Sequence, residues 1–224
     1  MVGVTVSALS SLSYTDRVIT RSLQSCVNKA STVKPSTRPY FTRYASYALE
    51  LLESRLDATE KSWFPVLSKY DGDFGERAKA HYPQLREATR RARETLLPQQ
   101  QGDGKTTAAV AGAEEDRVPK VLAALWGELE PVLRGEQALL GKVGASVSAE
   151  DRSALEEEDK RRRLALMKKD GHLWCAAYTM RSLTPKERES FPPGVPGLAK
   201  SAMLTAGNWQ FSRLVAPFRT SYMR

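Results

Sequence analysis

The chain reads as an all-α protein: an antiparallel four-helix bundle followed by additional C-terminal helices. Three observations predict this. Apolar residues recur at helical spacing through most of the chain, and no segment shows the period-two alternation of a half-buried strand. The joints between the helical stretches are also short, which makes sequential helices antiparallel neighbours.

The first predicted helix covers about 15–32 and ends before Pro35, with Leu12, Asp16, Ile19, Leu23 and Cys26 on one face. A second begins after Ser36 and Thr37 with Pro39 in its first turn, where a missing N–H costs little, and runs to about Tyr70. Its apolar stripe is Phe41, Tyr44, Ala48, Leu52, Leu56 and Trp63, and "DGD" at 71–73 stops it. A third spans about 74–97. The Gly-, Gln- and Ala-rich stretch at 98–116 has no apolar period and reads as a mobile linker.

The fourth helix, about 117–143, carries Leu122, Leu125, Leu129, Val132, Leu139 and Val143 on one face. "SAED" at 148–151 reads as a capping box, with the Ser148 hydroxyl accepting from the third helical N–H and Asp151 reaching back. It opens a fifth helix that lasts to "KKDG" at 168–171. "TPKE" at 184–187 repeats the device, with Thr184 capping, Pro185 first and Glu187 third. A short helix and a tail containing "NWQF" follow "FPPGVPG". The expected division is a bundle over 1–145 and a helical extension over 146–224 packed on it.

Composition limits the function. No run approaches the roughly 18 consecutive apolar residues that cross a bilayer, so a soluble protein with no membrane partner is expected. Cys26 and Cys175 supply neither a disulfide framework nor paired metal-ligand spacing, which points to a reducing, cytoplasmic compartment. Residues 1–39 contain Asp16 as their single acid and many Ser and Thr. This leaves an organellar transit peptide as the alternative to a first helix. Net charge is +8 and the pI about 9.5, but the bases form no stripe with interleaved aromatics. "LEEEDKRRR" pairs Glu156–Lys160, Glu157–Arg161, Glu158–Arg162 and Asp159–Arg163 at i,i+4 spacing, a solvated helix face and no nucleic-acid site.

Polar groups interrupt the inward stripes. Glu60 lies four residues after Leu56 on the second helix, His81 shares a face with Ala78, Leu85 and Ala92, Glu136 sits between Val132 and Leu139, and Asp16 lies on the first stripe. Such groups on facing helices build metal or acid–base sites, because burying them without partners is costly. Simpler roles compete: Asp16 as a helix cap, His81 as a satisfied core histidine, and Glu136 paired with Arg134 or an arginine of the third helix. His172 and Cys175 in "GHLWCAAY" have no second ligand pair, and a helix packing Leu173, Trp174 and Ala177 onto the bundle explains them.

The segments "DRVITRSLQS", "YALELLESRLDATEKSWFPVLSKY", "AHYPQLREATRRARETL" and "LWGELEPVLRGEQALLGKV" together resemble the core helices of hemerythrin-like (HHE-domain) proteins. The segment from His172 through "NWQF" is similar to the C-terminal extension of the fungal members. The resemblance implies a di-iron site built from a histidine on the first helix, His-x-x-x-Glu on the second, His-x-x-x-His on the third and His-x-x-x-Glu on the fourth. Carried over, these positions hold Asp16, then Leu56 and Glu60, then His81 and Leu85, then Val132 and Glu136. Four of the five histidines are absent, so the resemblance implies a degenerate site and no oxygen-binding di-iron centre.

The expected function is therefore a hemerythrin-like bundle that binds a small organic molecule in its core. Leu56, Leu85, Val132 and Trp63 would line the ligand, and His81, Glu60, Glu136 and Asp16 would do acid–base work without a resident cofactor. Two alternatives stand beside it. In one, Asp16, Glu60, His81 and Glu136 hold a single iron or manganese ion; in the other, the protein is a non-catalytic structural or interaction protein.

Overall fold

The computed structural model describes residues 7–97, 108–170, 172–190 and 196–205, and it is all-helical, with no strand among the described residues. The helices are α1 (Ser7–Ala30), α2 (Arg38–Ala58), α3 (Phe64–Leu67), α4 (Phe74–Lys79), α5 (Tyr82–Leu96), α6 (Ala108–Val143), α7 (Ala149–Asp170), α8 (His172–Ser182), α9 (Pro185–Ser190) and α10 (197–205). A 3₁₀ turn at Pro35–Thr37 leads into α2, and a π-helical turn at Thr59–Trp63 joins α2 to α3. No described helix is long and apolar enough to cross a membrane.

α1 packs on α2 and α6, and α5 packs on the same two. α7 lies against α1 and α2, and α8 against α1 and α7. The apolar stripes read from the sequence meet in the middle: Ile19, Leu23, Leu49, Leu52, Leu56, Trp63, Leu85, Leu122 and Leu129 belong to one continuous buried cluster. Burial of an aliphatic or aromatic side chain contributes about 1.5–3 kcal/mol, so this cluster is the main source of stability.

Three boundaries differ from the sequence reading, and each has a local cause. α1 starts at Ser7, which puts Asp16 in mid-helix and rules out its role as a cap. α6 starts at Ala108, because the Ala- and Glu-rich run there favours helix without an apolar period; residues 98–107 of the expected linker lie outside the described residues. The third helix breaks at Ala80–His81, since Pro83 lacks an N–H and its ring clashes with the carbonyl four residues back, so the helix restarts with Pro83 in its first turn.

The caps dock the C-terminal helices. At Thr184 the reciprocal box forms: the Glu187 N–H donates to Thr184 Oγ1 (3.3 Å) and the Thr184 N–H to Glu187 Oε2 (2.7 Å). The same carboxylate receives Arg17 (2.7 Å) and Arg21 (2.6 Å) from α1 and so ties α9 to α1. At Ser148 half of the box forms: the Asp151 N–H donates to Ser148 Oγ (3.1 Å), and the Tyr70 hydroxyl takes the other half by accepting from the Ser148 N–H (2.9 Å) and donating to Asp151 (2.8 Å). α8 is held by Tyr178, whose ring lies 5.0 Å from that of Tyr44 and 4.6 Å from that of Tyr47. Ala177 is buried; the side chains of Leu173 and Trp174, and "NWQF", lie outside the described residues.

Candidate functional site

The polar centre of the molecule is Arg55. It sits on the inward stripe of α2 at helical spacing from Ala48, Leu52 and Thr59, and only 3% of its surface is exposed. Its Nε donates to Asp16 Oδ1 at 2.9 Å and its Nη2 reaches Asp16 Oδ2 at 3.4 Å. Nη2 also donates to Glu136 Oε2, and Nη1 donates to the Tyr82 hydroxyl at 2.8 Å. Tyr82 closes the ring by donating to Glu136 Oε1 at 2.7 Å. Three helices, α1, α5 and α6, thus each present an oxygen to one guanidinium on the fourth.

Arg suits this position because its planar fork can serve several acceptors at once and its charge survives burial. Burial alone would weaken the Arg55 charge, but Asp16 and Glu136 more than offset that and raise its pKa well above the ordinary range. Two carboxylates share one cation: burial raises the pKa of Asp16, Arg55 pulls it down in part, and Glu136 and the buried Asp159 of α7 add a smaller rise. Burial likewise pushes the Tyr82 phenol up, so it stays a neutral donor. Phe64 packs against the Tyr82 ring at 5.1 Å between centroids.

Of the four inward polar residues expected from the sequence, the structure brings Asp16 and Glu136 together and leaves Glu60 and His81 outside. Glu60 has 31% of its side chain exposed and pairs with Arg86 of α5, which also holds Asp57 at 2.8 Å. The cause is the π-turn at Thr59–Trp63. Pro65 offers no N–H and crowds the carbonyl of Lys61; the widened turn accommodates it and rotates Glu60 to the flank while Trp63 and Phe64 turn inward. His81 is exposed and precedes α5, where its carbonyl accepts from the Leu85 N–H (3.1 Å).

The neighbours expected for Glu136 are otherwise engaged: Arg134 pairs with Glu130 at 2.7 Å, and Glu136 turns instead to α2. Leu56, Leu85, Val132 and Trp63 are all buried in the continuous apolar cluster. Among the described residues, no group of three or more His, Cys, Asp or Glu side chains is placed to hold a metal ion. The donors that remain do not fit one: Asp16 and Glu136 face a fixed cation, and the imidazole and third carboxylate are elsewhere. Cys175 is buried with its thiol 3.8 Å from the Leu166 carbonyl; the His172 side chain lies outside the described residues. Asp159 likewise turns inward, while Glu158 forms its expected pair with Arg162 at 2.8 Å.

Sequence reasoning missed Arg55 and Tyr82. The signal was present: Arg55 lies at the stripe's own spacing, and two inward acids on facing helices require a cation.

These features define an all-helical protein with a buried arginine–carboxylate–tyrosine centre. No family model matches the chain, and no solved structure matches it. The chain is 33% identical over 213 residues to "Xanthocillin biosynthesis cluster protein F" of Aspergillus fumigatus, a match covering 93% of this chain and 89% of the relative. The chain belongs to the family of that protein.

Proposed function

We propose that this protein is a hemerythrin-like antiparallel four-helix bundle that has become metal-independent. It serves a small-molecule biosynthetic pathway of the kind its relative is named for, as a non-catalytic accessory protein. One observation carries the reading: Arg55 pairs with both Asp16 and Glu136 at the centre where the resemblance would seat metal ligands. The mutual contacts of α1, α2, α5 and α6 support the bundle. A buried network that satisfies itself leaves no acid or base presented to a substrate, which favours a structural or partner-binding role over acid–base catalysis.

Metal analysis tests the first part. Untagged protein, purified without chelator from cells supplied with iron and manganese, is expected to hold far less than one metal per chain by plasma mass spectrometry, and chelation is expected to leave its Tm unchanged. Stoichiometric metal that is lost in an Asp16→Asn, Glu136→Gln variant would overturn the reading.

A second reading keeps small-molecule binding but moves it from the core to the surface. An open, mainly apolar groove of about 640 Å³ runs along α2 and is lined by Pro35, Pro39, Thr42, Ser46 and Leu97, with Arg38 and Arg43 beside them. Its lining suits a small apolar compound. Thermal-shift titration with small aromatic compounds is expected to give a saturable rise in wild type that Thr42→Trp abolishes; no rise in wild type would rule this role out.

A further inference from the structure

Two of the three oxygen-bearing groups around Arg55 are also tied to each other, and all three stand on helices other than that of the arginine. Asp16, Tyr82 and Glu136 project from three different helices, and the Tyr82–Glu136 hydrogen bond of 2.7 Å does not involve α2. Deleting the Arg55 side chain would therefore leave an anionic hollow the size of that side chain, lined by two buried carboxylates and a phenol with the buried Asp159 nearby. Buried carboxylates without a counter-charge either take up protons or bind a cation, and at neutral to mildly alkaline pH, where protonation is costly, such a hollow has a drive to bind a cation.

We propose that the core of this protein is a preorganised guanidinium site, and that Arg55 is its tethered occupant. The arrangement matches that group in particular. Asp16 receives Nε and, at longer range, Nη2 along one edge of the planar fork, Tyr82 takes Nη1, and Glu136 takes Nη2. A compact ammonium ion could satisfy one or two of these acceptors but not all three residues at once. Once the tether is removed, a small alkylguanidinium is the ligand class the site takes. The proposal rests on the reading of Arg55 as the resident cation of the core, yet the two fail separately: metal analysis of the wild type tests that reading, and chemical rescue of a variant tests this one.

The experiment is thermal unfolding of Arg55→Ala in the full chain with millimolar methylguanidinium, with equimolar urea as a neutral control of similar shape and methylammonium as a cation of the wrong shape. Wild type is measured in parallel. The expected result is a saturable rise in Tm of roughly 5 °C in the variant with methylguanidinium alone, a size typical of ligand excess over Kd for a chain of this length, and no rise in wild type. Adding Glu136→Gln to the variant should abolish the rescue. No rise in Arg55→Ala beyond the wild-type response, an equal rise with methylammonium, or a rescue that survives Glu136→Gln would each overturn the proposal. If Arg55→Ala does not yield folded protein, the variant is refolded with each compound present: recovery of folded, helical protein with methylguanidinium but not with urea or methylammonium is expected, and equal recovery with all three, or with none, would overturn the proposal.

Discussion

Arg55 and Arg86 are both bound by two acidic side chains, yet they do different work. Arg86 bridges Asp57 and Glu60 at the α2–α5 seam with more than a third of its side chain exposed, so water and salt screen its charge. Arg55 bridges Asp16 and Glu136 at 1% side-chain exposure, where bulk solvent is excluded. The same chemistry is marginal at the rim and decisive in the core. The reason is the cost of leaving a partner behind: an exposed carboxylate that loses its arginine is rehydrated, whereas a buried one is stranded.

Arg55→Ala is therefore the most damaging change, with an expected loss of about 3–5 kcal/mol in urea unfolding; a loss below about 1 kcal/mol, as typical of exposed pairs, would erase the contrast between the two arginines. Tyr82→Phe comes next. It removes the hydroxyl that accepts from Arg55 and donates to Glu136 while keeping the ring on Phe64, and is expected to cost about 1–3 kcal/mol.

Glu187 provides an intermediate case, half-way between rim and core. Burial alone would raise its pKa, but Arg21, the Thr184 N–H and hydroxyl, and Arg17 hold it down to about 2 from an ordinary 4.5. A depressed carboxylate stabilises the fold above its unfolded pKa, and that contribution disappears as pH falls from 4.5 towards 2. In acid titrations, the stability difference between wild type and Glu187→Gln should shrink across that window; a difference independent of pH there would contradict the clamp. The smallest effects belong to Glu60→Gln and His81→Ala. The first is expected to cost at most about 1 kcal/mol and to lose that difference in high salt, and the second to stay within about 0.5 kcal/mol.

The gap between sequence and structure follows the same contrast. Helical periodicity was enough to place Ile19, Leu52, Leu85 and Leu129 in one core, because a packed helix repeats its inward face every three to four residues. It also placed Asp16 and Glu136 inward. Glu60 and His81 went astray because periodicity assumes an uninterrupted helix, and Pro65 and Pro83 each interrupt one nearby. Those prolines are visible in the sequence, but a π-turn in one case and a fresh start in the other depend on packing that only the fold supplies. The place of Arg55 on the stripe was legible but its inward direction was not, since a long basic side chain on a stripe can equally reach out to water. The Ser148 cap shows the same limit: its Ser and Asp were readable, while the Tyr70 hydroxyl that completes it arrives from a residue distant in the chain.

Arg55 and the two carboxylates form one interdependent unit, in which each side is stranded without the other. A mutant cycle tests it most directly, comparing Arg55→Met, the Asp16→Asn, Glu136→Gln pair, and all three changes together by urea unfolding. Removing one side strands the other, whereas removing both leaves neutral groups of similar volume. The combined variant is expected to be more stable than the sum of the separate losses by at least about 2 kcal/mol, within the range seen for residues sharing one network. Additivity within about 0.5 kcal/mol would show that the three residues do not act together, and would contradict that interdependence.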